Sequence, residues 1–295
     1  MSLSEMRTRI ANDAGFIAAL DQSGGSTPKA LAAYGIGEDR YTTPAEMFDL
    51  MHGMRSRIIL DQSFTRQRVL GAILFEQTMD REVDGLPTAQ YLWEREAIVP
   101  FVKVDQGLAD TAQGVQLMKP MDKLAGLLAR AQEKQIYGTK MRSVVHEADA
   151  QGIKAIVEQQ FAVAEQILAA GLMPIIEPEV SIQAPDKAQC EALLLDAIGA
   201  SLQALPSDQQ VMLKLTLPEN QDHYASLVDD PKVLRVVALS GGYSLTEATM
   251  RLSKNRGIIA SFSRALTQDL SAALSDKDFS ATLDRNLATI HQASL

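Results

Sequence analysis

Residues 153–180 read IKAIVEQQFAVAEQILAAGLMPIIEPEV. Ile153, Ile156, Val157, Phe161, Ala164, Ile167 and Leu168 recur at i, i+3, i+4 and i+7, the stripe of a helix with one apolar face. Gly171 follows as a C′ residue able to close that helix. Met173 then opens a run that is almost continuously apolar and ends on two carboxylates, Glu177 and Glu179. Such a run suits a parallel strand covered on both faces, because only a strand lacking a solvent face dispenses with polar alternation.

The same unit recurs on both sides. Further apolar runs at 16–20, 69–75, 99–104, 137–143, 211–215, 233–239 and 257–262 read as buried strands. Amphipathic segments separate them; in one, Met121–Gln135, Leu124, Leu127, Leu128 and Ala131 share a face. Eight strands alternating with helices predict a (β/α)8 TIM barrel occupying residues 1–295 as a single domain, with a long insertion at 28–68 between the first two strands. The alternative is an open doubly wound sheet. The turn after the first strand, Asp21-Gln-Ser-Gly-Gly-Ser, has neither the G-x-G-x-x-G of a dinucleotide site nor the G-K-[ST] of a Walker loop.

Composition narrows the function. The 295 residues carry 28 Lys plus Arg against 37 Asp plus Glu, a net charge of −9, which argues against nucleic acid or an anionic membrane as partner. It leaves room for a small anionic substrate met by a local cluster of cations. One cysteine, Cys190, permits no internal disulfide and suits a reducing, cytoplasmic setting. The four histidines, at 52, 146, 223 and 291, lack metal-ligand spacing, so neither a metal nor another cofactor is expected. Residues 1–10 lack the apolar run of a signal peptide, and no run is long enough to cross a membrane. The pattern leaves a homo-oligomer open.

Polar residues gather where the apolar runs stop. These are Asp21, Lys103 with Asp105, Lys140 with Arg142, Glu177 with Glu179, Lys214, Ser240-Gly241-Gly242, and Arg264. In a parallel barrel these ends share one face, where barrel active sites lie. Burying charge in most strands is costly unless it is paired or used. Lys140, Glu177 and Lys214 are each separated by 37 residues, which predicts equivalent heights on three adjacent strands. A lysine in a semi-enclosed mouth beside a second cation loses its proton more easily and becomes a nucleophilic amine. Lys214 beside Lys140 fits that chemistry, and Glu177 would move the protons that carbinolamine dehydration needs. Ser240-Gly241-Gly242 with Arg264, and Ser23-Gly-Gly-Ser26 with Lys103, read as two phosphate sites. A bisphosphate aldolase, an aldolase or transaldolase with one phosphate site, a metal-dependent enzyme and a non-catalytic sugar-phosphate binder all remain open on this evidence.

Four motifs go further: Ile-Ile-Glu-Pro-Glu at 175–179, Leu-Lys at 213–214, Leu-Ser-Gly-Gly at 239–242 and Ser-Phe-Ser-Arg-Ala-Leu at 261–266. In this order they resemble the class I fructose-bisphosphate aldolases in their shorter bacterial form, from about Gly15 to about Ala265. The resemblance implies reversible, metal-independent cleavage of fructose 1,6-bisphosphate to dihydroxyacetone phosphate and glyceraldehyde 3-phosphate. It implies Lys214 as the Schiff-base lysine, Glu177 as general acid/base and Asp21 as the carboxylate assisting C–C cleavage. Lys140 would assist dehydration, and Glu179 is the second carboxylate of the motif. Ser240, Gly241, Gly242 and Arg264 would hold the phosphate retained on dihydroxyacetone phosphate. Ser23, Ser26, Lys103 and Arg142 would contact the other end of the substrate. Animal members end in a tail with a C-terminal tyrosine that assists proton exchange; the last tyrosine here is Tyr243, so Glu177 or a water is expected to serve instead.

Overall fold

Parallel pairing runs unbroken through eight strands in chain order: β1 (Phe16–Leu20), β2 (Val69–Leu74), β3 (Val99–Lys103), β4 (Gly138–Val145), β5 (Met173–Val180), β6 (Val211–Thr216), β7 (Val233–Leu239) and β8 (Ile259–Ala260). The computed structural model describes residues 2–295. The (β/α)8 barrel is nearly closed. The ladder lapses between β8 and β1, where Ala19 N–H donates to the Phe262 carbonyl at 3.1 Å. The run at 257–262 therefore supplies a strand of only two residues. Ser294, on the last turn of the chain, takes over part of its edge: Ala260 N–H donates to Ser294 Oγ at 3.0 Å.

The interior is filled by inward side chains of alternate strand residues, among them Ile17, Phe101, Ile175, Met212 and Val237. Phe101 fits because its neighbours on β2 and β4 are glycines. A Cβ on Gly71 or Gly138 would come within 3.0 or 2.9 Å of its ring. Helix α1 (Leu3–Asn12) closes the N-terminal mouth with Met6 and Ile10, and Arg235 donates to the Ala11 and Asp13 carbonyls at its end. Among the described residues, only the opposite mouth remains accessible.

The insertion forms α2 (Thr27–Ala33) and α3 (Pro44–Ile59) beside that open mouth. Around the barrel follow α4 (Leu124–Glu133), α5 (Ala150–Ala169), α6 (Lys187–Ala204), α7 (Leu245–Leu252) and α8 (Asp276–Ala293). Helix α5 ends as its sequence dictates. Gly171 takes φ +71°, its N–H donates to the Leu168 carbonyl, and Leu172 N–H donates to the Ile167 carbonyl. Among the described residues, no helix is long and apolar enough to cross a membrane.

Candidate active site

The C-terminal ends of the strands enclose a cavity of about 710 Å³. Asp21, Lys103, Lys140, Arg142, Glu177, Glu179 and Lys214 all line it, as do Ser23, Ser26, Ser240, Gly241 and Arg264. At its floor two lysines and two carboxylates interlock. Lys140 Nζ lies 2.6 Å from Asp21 Oδ2 and 3.0 Å from Glu177 Oε2, and Lys214 Nζ lies 3.1 Å from Glu177 Oε1. All four groups are nearly excluded from solvent. Each oxygen of Glu177 thus faces a different lysine, Oε2 toward Lys140 and Oε1 toward Lys214.

The electrostatics of this cluster are settled by its pairings. Burial pushes the Asp21 carboxyl up, but the charges of Lys140 and then Lys214 outweigh it and hold Asp21 well below the usual carboxylate range. Glu177 is lowered by the same balance, burial opposed first by Lys140 and then by Lys214. Burial works against the Lys140 ammonium, yet Asp21, Glu177 and Asp105 raise its pKa and keep it cationic.

The equal spacing of Lys140, Glu177 and Lys214 misleads on one point. The ladder pairs Lys140 with Ile175 and Arg142 with Glu177, an offset of 35 residues between β4 and β5. Between β5 and β6 the offset is 37, as in Ile175 with Met212. Glu177 and Lys214 therefore share a level, while Lys140 sits one inward position lower. The stagger comes from barrel shear, which spacing along the chain does not report. Lys140 still reaches Glu177 because its side chain is long and rises along the wall.

The mouth opens where β5 and β6 part. Their ladder ends after Ile176 with Leu213, and Thr216 Oγ1 then bridges the gap, accepting from Val180 N–H at 2.9 Å and donating to its carbonyl at 2.8 Å. Glu177 N–H donates to Gln160 Oε1 at 2.8 Å, and Gln160 Nε2 donates to Ser143 Oγ at 3.0 Å. Gln160 thus pins the backbone of Glu177 from helix α5. Its signal in the sequence is a glutamine at an apolar-stripe position between Val157 and Ala164.

The remaining residues show how the mouth is held. Glu179 Oε2 accepts from Arg142 Nε at 2.6 Å, so this carboxylate faces a guanidinium and not the lysines. Lys103 Nζ donates to Asp105 Oδ1 at 2.6 Å and to its carbonyl at 2.8 Å. Ser26 Oγ donates to the Ser23 carbonyl and accepts from Ser23 N–H, closing that turn on itself. Gly241 and Gly242 take φ +60° and +113°, and a Cβ on Gly241 would meet Ile182 at 2.6 Å. Gly242 lies against the Arg264 guanidinium, where a Cβ would come within 3.3 Å, so bare backbone is needed beside this cation. Glu76, also at a strand end, turns outward to pair with Arg130 and takes no part in the mouth. Ser261 and Ser263 of the 261–266 motif also line the cavity, and so do Lys29 on α2 and Gln22, which were not assigned a role from the sequence.

A parallel barrel whose only open mouth carries buried lysines interlocked with carboxylates has the architecture of a barrel lyase. The comparisons make this specific. The family model of class I fructose-bisphosphate aldolases matches residues 2–221. The class 1 fructose-bisphosphate aldolase of Synechocystis sp. is 56% identical over 291 residues, covering 99% of this chain and 97% of that protein. The class 1 enzyme of Clostridium acetobutylicum is 53% identical over 287 residues, 97% of each. Among solved structures, the fructose-bisphosphate aldolase of Plasmodium falciparum superposes with a TM-score of 0.80 at 19% identity, covering 99% of this chain and 94% of that one, a likeness of fold. The chain belongs to the class I fructose-bisphosphate aldolase family. It carries the family's activity, a carbon–carbon lyase reaction in glycolysis.

Proposed function

We propose that Lys214 forms the Schiff base with the C2 carbonyl of fructose 1,6-bisphosphate and that Glu177 moves the protons of that step. The observation that carries this reading is the position of one buried carboxylate, 3.1 Å from Lys214 Nζ and 3.0 Å from Lys140 Nζ. Attack by the Lys214 amine gives a carbinolamine. Glu177 takes a proton from its nitrogen and returns one to its oxygen, which leaves as water. Lys140, cationic throughout, stabilises charge developing on that oxygen. Asp21 orients the C4 hydroxyl and accepts its proton as the C3–C4 bond breaks. That electron pair flows into the iminium, giving an enamine and free glyceraldehyde 3-phosphate. Protonation at C3 by Glu177, or by a water it holds, and hydrolysis then release dihydroxyacetone phosphate and restore the amine.

Ser240, Gly241, Gly242 and Arg264 hold the phosphate that stays with the enamine. Ser23, Ser26, Lys103 and Arg142 hold the phosphate that leaves with the aldehyde, and Glu179 acts by fixing Arg142. The enzyme works in the cytoplasm, a setting supported by a single buried cysteine. Borohydride reduction with dihydroxyacetone phosphate, followed by peptide mass mapping, tests the central assignment. Label on Lys214 is expected, and label on any other lysine overturns it.

A further inference from the structure

Arg55 is the largest fully buried side chain of the protein, 1% exposed, and it lies outside the cluster just described. It sits on α3, in the insertion, at a position of the buried stripe Met51, Met54, Arg55, Ile58, Ile59. No carboxylate pairs with it directly among the described residues. Its guanidinium is spent on neutral groups: Nη1 donates to Thr78 Oγ1 at 2.7 Å, and Nη2 donates to the Gln22 carbonyl and approaches Gln22 Oε1 at 3.4 Å. Gln22 Nε2 in turn donates to Ser263 Oγ at 2.7 Å.

This chain of contacts ties two loops of the mouth to the turn after β2. Thr78 belongs to the single helical turn after β2. Gln22 stands between Asp21 and the Ser23–Ser26 turn. Ser263 precedes Arg264. A buried cation with no direct ion pair, compensated only at a distance by the Asp21 carboxylate, is costly to keep, and a methionine or leucine would fill the stripe without that cost. What the arginine adds is a rigid fork of donors that can hold one loop at two points. That loop then carries the only side-chain bridge described between the two anion sites.

We propose that Arg55 is a positioning residue that, through Gln22, sets the spacing between the two anion loops and thereby the preference for a substrate phosphorylated at both ends. The inference rests on the assignment of those loops given above. With Arg55 in place, the Ser23–Ser26 turn is held against the Arg264 loop, and a bisphosphate meets both sites at once. Without it the aldehyde-end site moves independently, and a monophosphate ketose, which does not use that site, is unaffected.

The test compares kcat and KM for fructose 1,6-bisphosphate and fructose 1-phosphate in wild type, Arg55→Met, Arg55→Lys, Gln22→Met and Lys103→Met. For Arg55→Met and Gln22→Met the ratio of the two kcat/KM values is expected to fall by about tenfold, the worth of a hydrogen bond to a charged group. The fall should lie in KM for the bisphosphate, with fructose 1-phosphate changed less than about twofold. Arg55→Lys, which restores charge but not the fork, should recover part of the ratio. A parallel loss for both substrates marks a merely structural role and overturns the proposal. If Arg55→Met does not fold, Gln22→Met decides alone, and a wild-type ratio there also overturns it. Lys103→Met separates the two readings. If it lowers the ratio while Gln22→Met does not, only the role of Arg55 fails; if it leaves the ratio unchanged, the assignment of the loop itself fails.

Discussion

Arg142 stands opposite Glu177 on the ladder between β4 and β5, yet its Nε bonds Glu179, one inward position further up, at 2.6 Å. That choice divides the two carboxylates of the Glu-Pro-Glu motif. Glu179 is satisfied by a guanidinium, and Glu177 is left to the two lysines. Burial works against the Arg142 cation, but Glu179 raises its pKa and keeps it charged. Glu179→Gln should therefore act through Arg142: KM for the bisphosphate is expected to rise several-fold, with a smaller change in kcat. Steady-state kinetics check this, and a fall in kcat of a hundredfold or more would instead put Glu179 at the reacting atoms.

Lys214→Met removes the proposed nucleophile from its place 3.1 Å from Glu177. Turnover should drop by several powers of ten, because no neighbouring group replaces a covalent step. Bisphosphate binding, followed by equilibrium dialysis, should persist. Turnover within tenfold of wild type would sink the Schiff-base role of this lysine.

Lys140→Met strips the cation shared by two buried carboxylates. Leaving Asp21 without its ion-pair partner, and Glu177 with Lys214 alone, should cost about 3–5 kcal/mol. The pH dependence follows from the direction of the shifts. Asp21 and Glu177 are lowered on folding, so the stability they contribute is present above the ordinary carboxylate pKa of about 4 and is lost as pH falls through their lowered folded values. Lys140 is raised, so its contribution is full below the ordinary lysine pKa and is lost only as pH rises through the folded value. Without Lys140 the buried carboxylates ionise less readily in the folded protein, so the variant should fall furthest below wild type near neutral pH and the gap should narrow as pH falls and the carboxylates take up protons. Melting curves between pH 3 and 8, roughly spanning the carboxylate range, read this directly.

Gly241→Ala forces a Cβ into φ +60° and to within 2.6 Å of Ile182 Cγ2. The left-handed backbone alone costs about 1–2 kcal/mol. Melting temperature should fall and KM for the bisphosphate should rise. Adding Ile182→Ala should restore part of both by making room for the methyl group. A double variant no better than Gly241→Ala would show that backbone strain alone is responsible.

The polar residues at the strand ends were readable from the chain because their cause is local. A strand's side chains alternate, so a charged residue of inward parity at the end of a buried apolar run faces the mouth, whereas one just past the strand can turn outward, as Glu76 does. Lys214, Glu177, Asp21 and Lys140 fall there for that reason, and all line one cavity. Arg55 and Gln160, polar residues on buried helical stripes, were not picked out from the sequence, and periodicity says only that such a side chain faces inward. Whether it meets a ligand, a loop or a backbone N–H depends on what the neighbouring element brings to that point.

The order of strands, the helix ends such as Gly171 and the set of charges in the mouth follow from the amino-acid sequence, since each rests on burial or backbone preference over a few neighbouring residues. Who pairs with whom was decided by folding. The offset of 35 residues on one side of β5 and 37 on the other places Glu177 level with Arg142 and Lys214 while Lys140 approaches from below. That stagger is a property of closing eight twisted strands into a barrel, and no single segment carries it. The same holds for the insertion, whose helix delivers Arg55 to Gln22 only because packing turns its stripe toward the first loop.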